Sequence, residues 1–273
     1  MTDWGLIYNE TEQNMIKFTI VTCTYNAAEV LQRTLDSVLV QSWPEMEHLI
    51  VDGASTDDTL KLVDAYRHDN TEQETGHDVR VLSEPDRGLY DAMNKALQLA
   101  TGDYIVFLNA GDALPHSDLL EQMCTEVNGR SDGGLPAVLY GDTNIVDDQG
   151  QVLHGRRLSP PDVLTWRSFK HGMLVCHQAF YARTDLARQE PYDLRYRFSA
   201  DVDWCIRIMK RAEKQHLSLL RIHAVVANYL DGGMTNKNHR ASLKERFRVM
   251  CRHYGYVQTI VMHVWFVLRM LVK

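Results

Sequence analysis

The residues of this chain best suited to chemistry are polar side chains at the ends of apolar runs. Thr24, Tyr25 and Asn26 close the run Ile16 to Cys23, and Asp52 and Ser55 follow His48 to Val51. Glu84, Asp86 and Arg87 follow Val79 to Leu82, while Asn109 and Asp112 stand at the end of Tyr104 to Leu108. A carboxylate accepts hydrogen bonds from a base or ribose, and it can also hold a hard cation. Asp52, with Thr24 and Asn26 as neighbouring donors and acceptors, suits the first task. Asp112 in Asn109-Ala110-Gly111-Asp112 suits the second, although an Asp after a strand is often only a turn residue.

These positions need a frame that brings strand ends together. Helical spacing of Val30, Leu31, Leu35, Val38 and Leu39, then of Leu60, Val63 and Tyr66, then of Leu89, Met93, Leu97 and Ala100, separates the apolar runs. Strand alternating with helix predicts a parallel sheet with right-handed crossovers, whose ligands sit beyond the carboxyl ends of the strands. Ser55 with Asp58 is expected to form a capping box, and Gly102 a helix C-cap. Asp57 and Asp58 then read most simply as acids at a helix N-terminus.

The second half is less regular. Strands are expected at Ala137 to Tyr140, Ala179 to Ala182 and Leu217 to Tyr229, with a hairpin turn over Val146 to Val152. Ser199 is expected to cap a helix through Val202, Ile206, Met209 and Ala212. Asp201 and Asp203 behind that cap suit the helix dipole with no further role required.

Composition excludes several classes. A formal net charge of -7 over 273 residues argues against broad nucleic-acid binding. Neither G-x-G-x-x-G nor a Gly-Lys-Ser/Thr phosphate loop occurs, so a nucleotide would have to be held by side chains. Five cysteines, odd in number and widely spaced, predict neither a zinc site nor a disulfide framework and point to a reducing cytoplasm. Asp3, Glu10 and Glu12 stand where a signal peptide would be basic and then apolar.

Charge is unevenly spread. After Asn236 come Lys237, Arg240, Lys244, Arg246, Arg248, Arg252, Arg269 and Lys273 against Glu245 alone. The apolar stretch Tyr256 to Val272 is short for a membrane span and is broken by Gln258, His263 and Arg269. It fits a helix lying on a lipid surface, or equally one packed on the core; periodicity does not separate the two. The expected organisation is one domain over 1–235 followed by a basic, amphipathic helical extension over 236–273.

Four ordered segments together resemble the family 2 glycosyltransferases: Ile20 to Asn26, Val51 to Asp57, Glu84 to Lys95 and Phe107 to Asp112. The third is similar to the branch that assembles bacterial exopolysaccharides such as colanic acid. The resemblance covers roughly residues 16 to 235. It implies a GT-A fold, an α/β architecture with a Rossmann-like, mostly parallel central sheet flanked by helices. It also implies inverting transfer of a sugar from a UDP- or GDP-sugar to a saccharide, expected here to be carried on a polyprenyl lipid at the inner face of the plasma membrane.

The resemblance also implies roles. Thr24, Tyr25, Asn26 and Asp52 match the pocket for base and ribose, Asp86, Arg87, Asp91 and Lys95 match positions lining the donor sugar and diphosphate, and Ser55 and Asn109 are expected to bind the nucleotide sugar with them. Asp112 matches the last acid of the D-x-D motif that holds Mg²⁺ or Mn²⁺, but Asn109 and Gly111 stand where carboxylates are common. Asp201 matches the general base, with Ala200 in place of the usual Glu and Asp203 as its competitor. Trp204 is either an acceptor platform or a core residue. His177-Gln178 and Gly232 to Thr235 match segments near the acceptor. Two other classes compete: a nucleotidyltransferase, which would need a Gly-rich phosphate cradle, and a non-enzymatic sugar-nucleotide-binding scaffold.

Overall fold

The computed structural model describes residues 15–232 and 239–271. Asp3, Glu10, Glu12, the segment Gly233 to Thr235, Lys237, Lys273 and the boundary at 235/236 lie outside the described residues.

Strands β1 (Phe18–Thr24) and β2 (Met46–Asp52) are buried at every position, as continuous apolar runs require when both sheet faces are covered. They pair in parallel with each other, with β3 (Asp78–Ser83) outside β2 and β4 (Tyr104–Phe107) on the other side of β1. Order therefore reverses between β1 and β4, which is where a parallel α/β sheet opens a crevice at its carboxyl ends. The full sheet has eight strands in the order β3-β2-β1-β4-β7-β5-β6, with β8 (Leu219–Leu230) parallel to β5 (Val138–Val146). Two strands run against the parallel ones: β7 (Phe180–Arg183) is antiparallel to both β4 and β5, and β6 (Val152–Gly155) closes the expected hairpin with β5.

Alternation along β2 divides the core. Ile50 faces α1 (Ala28–Leu39) and α2 (Thr59–Glu72), packing with Leu31, Leu35, Val63 and Tyr66. Leu49 and Val51 face the larger core, which takes in α3 (Leu89–Leu99), α4 (Leu119–Asn128), α5 (Thr184–Gln189) and α6 (Ala200–Lys214). Beyond them α7 (His239–Tyr254) turns through Gly255 into α8 (Tyr256–Leu271). The five cysteines are free thiols.

Three local expectations are corrected. Ser55 does not cap α2, because its hydroxyl and amide both bond Asp52; Asp57 accepts the Thr59 amide instead and, with its second oxygen, the Ala28 amide at the start of α1. One exposed acid thus serves two helix N-termini, in keeping with the simple reading of Asp57. Ser199 occupies the N-cap of α6 without a side-chain cap, its hydroxyl reaching the Ser242 carbonyl on α7. Gly102 lies past the C-cap Ala100 of α3; a Cβ there would stand 2.7 Å from the Lys17 carbonyl, so close approach to β1 is what requires glycine.

Candidate active site

The ends of β1 and β2 are tied by one carboxylate. Asp52 is fully buried and accepts from Thr24 Oγ1 (2.9 Å), Ser83 Oγ (2.8 Å), the Ser55 amide (2.9 Å) and the Ser55 hydroxyl. Burial alone would raise its pKa, but these hydrogen bonds outweigh it and hold the group below the usual carboxylate range. Four donors fill the acceptor capacity of the carboxylate, so Asp52 shapes the loop around it. Asn26, at φ 48°, does the same from the other side: its Oδ1 accepts from the Thr56 amide (2.9 Å) and its own amide donates to Ser55 Oγ (2.9 Å). What this braced loop leaves facing outward is Tyr25, 67% exposed. A Cβ built on Gly53 would lie 2.6 Å from Asp86 Oδ2 and 3.3 Å from the Tyr25 ring, so all three meet over a bare stretch of backbone.

Helix α3 carries the cationic side. Asp91 accepts from both the backbone and the guanidinium of Arg87, which is otherwise exposed, while Lys95 pairs with Glu84 at 2.8 Å and reaches the Pro85 carbonyl. The next residue toward the N-terminus, Tyr90, points to the other side of the site and donates to Asp201 Oδ1 at 3.1 Å.

Asp201 opens α6, and its side chain is 14% exposed. His177 Nδ1 lies 3.3 Å from its Oδ2, and His177 Nε2 accepts from the Asn109 amide nitrogen at 3.0 Å. The antiparallel strand β7 makes this meeting possible. Its start pairs toward the end of β4, which sets the 3-10 turn His177–Ala179 beside Asn109. Burial works to raise the Asp201 pKa, but the His177 hydrogen bond and the nearby positive charge of Arg246 prevail and lower it. The same carboxylate, with burial, pushes the Tyr90 phenol well above its ordinary range and keeps it a donor. Asp201 is therefore an ionised, held and accessible carboxylate, which is what proton abstraction from a hydroxyl requires.

Asp203 is different. It is fully buried and bonded to Arg207 (2.7 Å) and His253 (2.8 Å), with Arg252 at 3.4 Å, so it ties α6 to α7. Trp204 is fully buried, stacked on Tyr192 at 4.9 Å, and belongs to the core.

Asp112 is buried, with Oδ2 accepting from Gln178 Nε2 (2.8 Å) and Oδ1 from the Leu230 amide (3.0 Å). Burial raises its pKa to about 6 against these two hydrogen bonds. Gly111 has φ 96°, and a Cβ there would stand 2.7 Å from Leu230 Cδ2, which accounts for glycine where an acid is common. Among the described residues no three His, Cys, Asp or Glu side chains converge on one point. Each oxygen of Asp112 accepts one bond and keeps a further lone pair, so among the described residues Asp112 could offer a single carboxylate and not a preformed cage.

Of the expected site residues, the structure brings Asp86 and Tyr25 together over Gly53, Arg87 and Asp91 to the start of α3, and Asn109 into line with Asp201. It turns Thr24, Asn26, Asp52 and Ser55 toward one another. Tyr90 had no separate place in the sequence reading, although it sits beside Asp91; His177 was noted without a role.

A Rossmann-like sheet with polar residues at its β1/β4 crevice, and the Asp201 carboxylate held on α6, define an α/β fold that takes its ligand at the strand ends. Residues 19–188 match the model of glycosyl transferase family 2, and the chain belongs to that family. It is a glycosyltransferase, which sets aside the nucleotidyltransferase and scaffold alternatives. It is 34% identical over 221 residues to a PGL/p-HBAD biosynthesis glycosyltransferase of Mycobacterium tuberculosis, covering 80% of this chain and 79% of that one. It is 31% identical to the amylovoran biosynthesis glycosyltransferase AmsB of Erwinia amylovora, covering 78% and 69%. Among solved structures, S. aureus TarS 1-349 in complex with UDP aligns with a TM-score of 0.65 at 17% identity, covering 94% of this chain and 72% of that one. The mannosyltransferase PcManGT of Pyrobaculum calidifontis, in complex with GDP-Man and Mn²⁺, aligns at 0.59 with 18% identity, covering 91% and 70%. These two likenesses establish the GT-A fold.

Proposed function

We propose that this chain is an inverting glycosyltransferase that moves a sugar from a UDP- or GDP-sugar to a hydroxyl of a saccharide acceptor in exopolysaccharide assembly. The observation that carries the reading is Asp201, ionised and partly exposed, held between Tyr90 and His177 beside the end of β4. In this mechanism Asp201 takes the acceptor proton as the hydroxyl oxygen attacks the anomeric carbon. The bond from that carbon to the diphosphate breaks on the opposite face, and the leaving group departs with the electron pair. Rate comes from fixing the two substrates in line and from compensating the leaving charge.

The donor is proposed to lie over Gly53, with Tyr25 against the base and Asp86 toward the ribose and sugar. Thr24, Asn26, Asp52 and Ser55 support that surface from beneath, through the bonds they make to one another. Arg87 and Lys95 face the diphosphate, and Asp91 orients Arg87. The names of structural neighbours bound to UDP and to GDP-Man support a nucleoside diphosphate there. Mg²⁺ or Mn²⁺, the latter present in the second neighbour, would rest on the Asp112 carboxylate and draw its other ligands from the diphosphate and water. The catalytic unit is proposed to span 1–235, with 236–273 as a helical extension. The acceptor is proposed to be carried on a polyprenyl lipid, which would place the enzyme at the cytoplasmic face of the membrane.

The test is transfer itself. Purified protein is supplied with a panel of labelled UDP- and GDP-sugars and a bacterial lipid-saccharide extract, and the anomeric configuration of the product is read by NMR. A product of inverted configuration from one donor supports the proposal; a retained configuration removes the role given to Asp201.

A further inference from the structure

Helix α8 leaves a broad apolar face uncovered by the described residues. Tyr256, Val257, Ile260, Val261, Val264 and Leu268 are between 53% and 79% exposed. At 100° per residue they fall on one side of the helix. The opposite side, which packs inward, is mixed, with Met262 and Phe266 beside Thr259 and His263. Thr259 is fully buried with its hydroxyl on the Gly255 carbonyl, and His263 stacks edge-on against Phe247 of α7 at 5.0 Å. Burial of apolar surface is the main drive to folding, so a helix that shows water its valines and isoleucines has another partner for that face.

The chemistry of the partner is written on α7. Arg240, Lys244, Arg248 and Arg252 recur every fourth residue and are all exposed, so they form one stripe along that helix. Among the described residues only Arg252 of the four enters an ion pair, with Asp193 and Asp203. A cationic stripe joined through Gly255 to an apolar face matches the headgroup and acyl layers of an anionic bilayer. A second copy of the chain fits less well, because a two-fold contact on this face would bring two such stripes toward each other. The 16 described residues of α8, at about 1.5 Å each, are shorter than a hydrocarbon core of about 30 Å, and no described helix is long and apolar enough to cross a membrane.

We propose that α7 and α8 form a docking surface for an anionic lipid bilayer, with the apolar face of α8 inserted among the acyl chains and the α7 stripe on the headgroups. The surface is mechanically joined to the base. Glu245 of α7 accepts the amides of Arg197 and Phe198, and Ser199 bonds the Ser242 carbonyl, immediately before Asp201. Docking would thus seat the base beside the lipid surface. That consequence, that a lipid-borne acceptor is met there, rests on the function proposed above, whereas the docking does not.

The test is flotation of the full chain with vesicles of phosphatidylcholine alone and of phosphatidylcholine mixed equally with phosphatidylglycerol. Two exposed-face variants accompany it: Val261→Glu with Val264→Glu, and Arg240→Gln with Lys244→Gln and Arg248→Gln. Melting curves establish that both remain folded, and nucleotide titration of the same samples reads the active site separately. The wild type is expected to float with the anionic vesicles, and the three-Gln variant to partition about a hundredfold more weakly. The two-Glu variant is expected to remain at the bottom. A wild type that stays down with anionic vesicles overturns the proposal, as does equal binding to neutral ones. A dimer in sedimentation velocity that the two-Glu variant dissociates would also overturn it, by assigning the face to a second copy.

Discussion

His177 Nδ1 stands 3.3 Å from Asp201 Oδ2, and the other nitrogen of the same ring is 3.0 Å from the Asn109 amide. The end of β4 is thereby joined to the first turn of α6 through one imidazole. With Nε2 accepting from Asn109, the proton sits on Nδ1 and points at the carboxylate. Tyr90 completes the clamp on the second oxygen.

Removing that ring should alter the pH profile as well as the rate. His177 lowers the Asp201 pKa, so His177→Ala lets it rise, and a higher pH is needed to ionise the base. The acidic limb of kcat/KM is expected to move to higher pH, with roughly a tenfold to hundredfold loss at neutral pH from lost orientation. A measured pH profile of transfer for wild type and variant checks this; an unmoved limb would deny the contact.

Asp203→Asn should affect stability. The buried carboxylate faces Arg207, His253 and Arg252, and removing its charge strands them, at a cost of about 3 kcal/mol. Burial works against ionisation, but the His253 and Arg207 bonds prevail and depress the pKa in the folded state. Its contribution is therefore complete above the unfolded value near about 4 and is lost as pH falls through the lower folded value. Denaturant melts between neutral and acid pH should show wild type and variant converging in acid.

Restoring an acid at Gly111 should not build a metal site. A Gly111→Asp side chain meets Leu230 Cδ2 on a backbone at φ 96°, and a loss of about 1–3 kcal/mol is expected. Thermal melting with and without Mn²⁺ measures it; a metal-dependent gain in melting temperature would contradict this placement.

Gly53→Ala should be nearly silent in the fold and costly at the donor site. The new methyl meets the carboxylate of Asp86, the end of a side chain that can swing aside. Melting temperature is expected to hold within a few degrees, while nucleotide affinity drops about tenfold, the equivalent of about 1.4 kcal/mol. Calorimetry on the two proteins separates these outcomes.

The first half of the fold was legible because a strand buried on both faces has to be written as an unbroken apolar run. The strand Phe18–Thr24 overlaps the run read from Ile16 to Cys23, and Met46–Asp52 contains the run His48 to Val51. The short strand Phe180–Arg183 was also found, but nothing local tells that it inserts antiparallel between β4 and β5. That insertion is what brings His177 to Asn109, 68 positions away in sequence. Caps misled for a related reason. Ser55 and Ser199 have the residue type of an N-cap, yet each hydroxyl found a stronger claim, Asp52 in one case and the Ser242 carbonyl in the other. Spacing marked Asp201 and Asp203 alike, and only packing separates them: one carboxylate is partly exposed, while the other is enclosed by Arg207 of α6 and Arg252 of α7.

The most direct measurement is Asp201→Asn, compared with wild type for nucleotide binding and for sugar transfer on one preparation. If Asp201 is the base, affinity for the nucleotide stays within about twofold while kcat falls about a hundredfold to ten-thousandfold. Transfer that persists within about tenfold of wild type would place the base elsewhere and contradict the account.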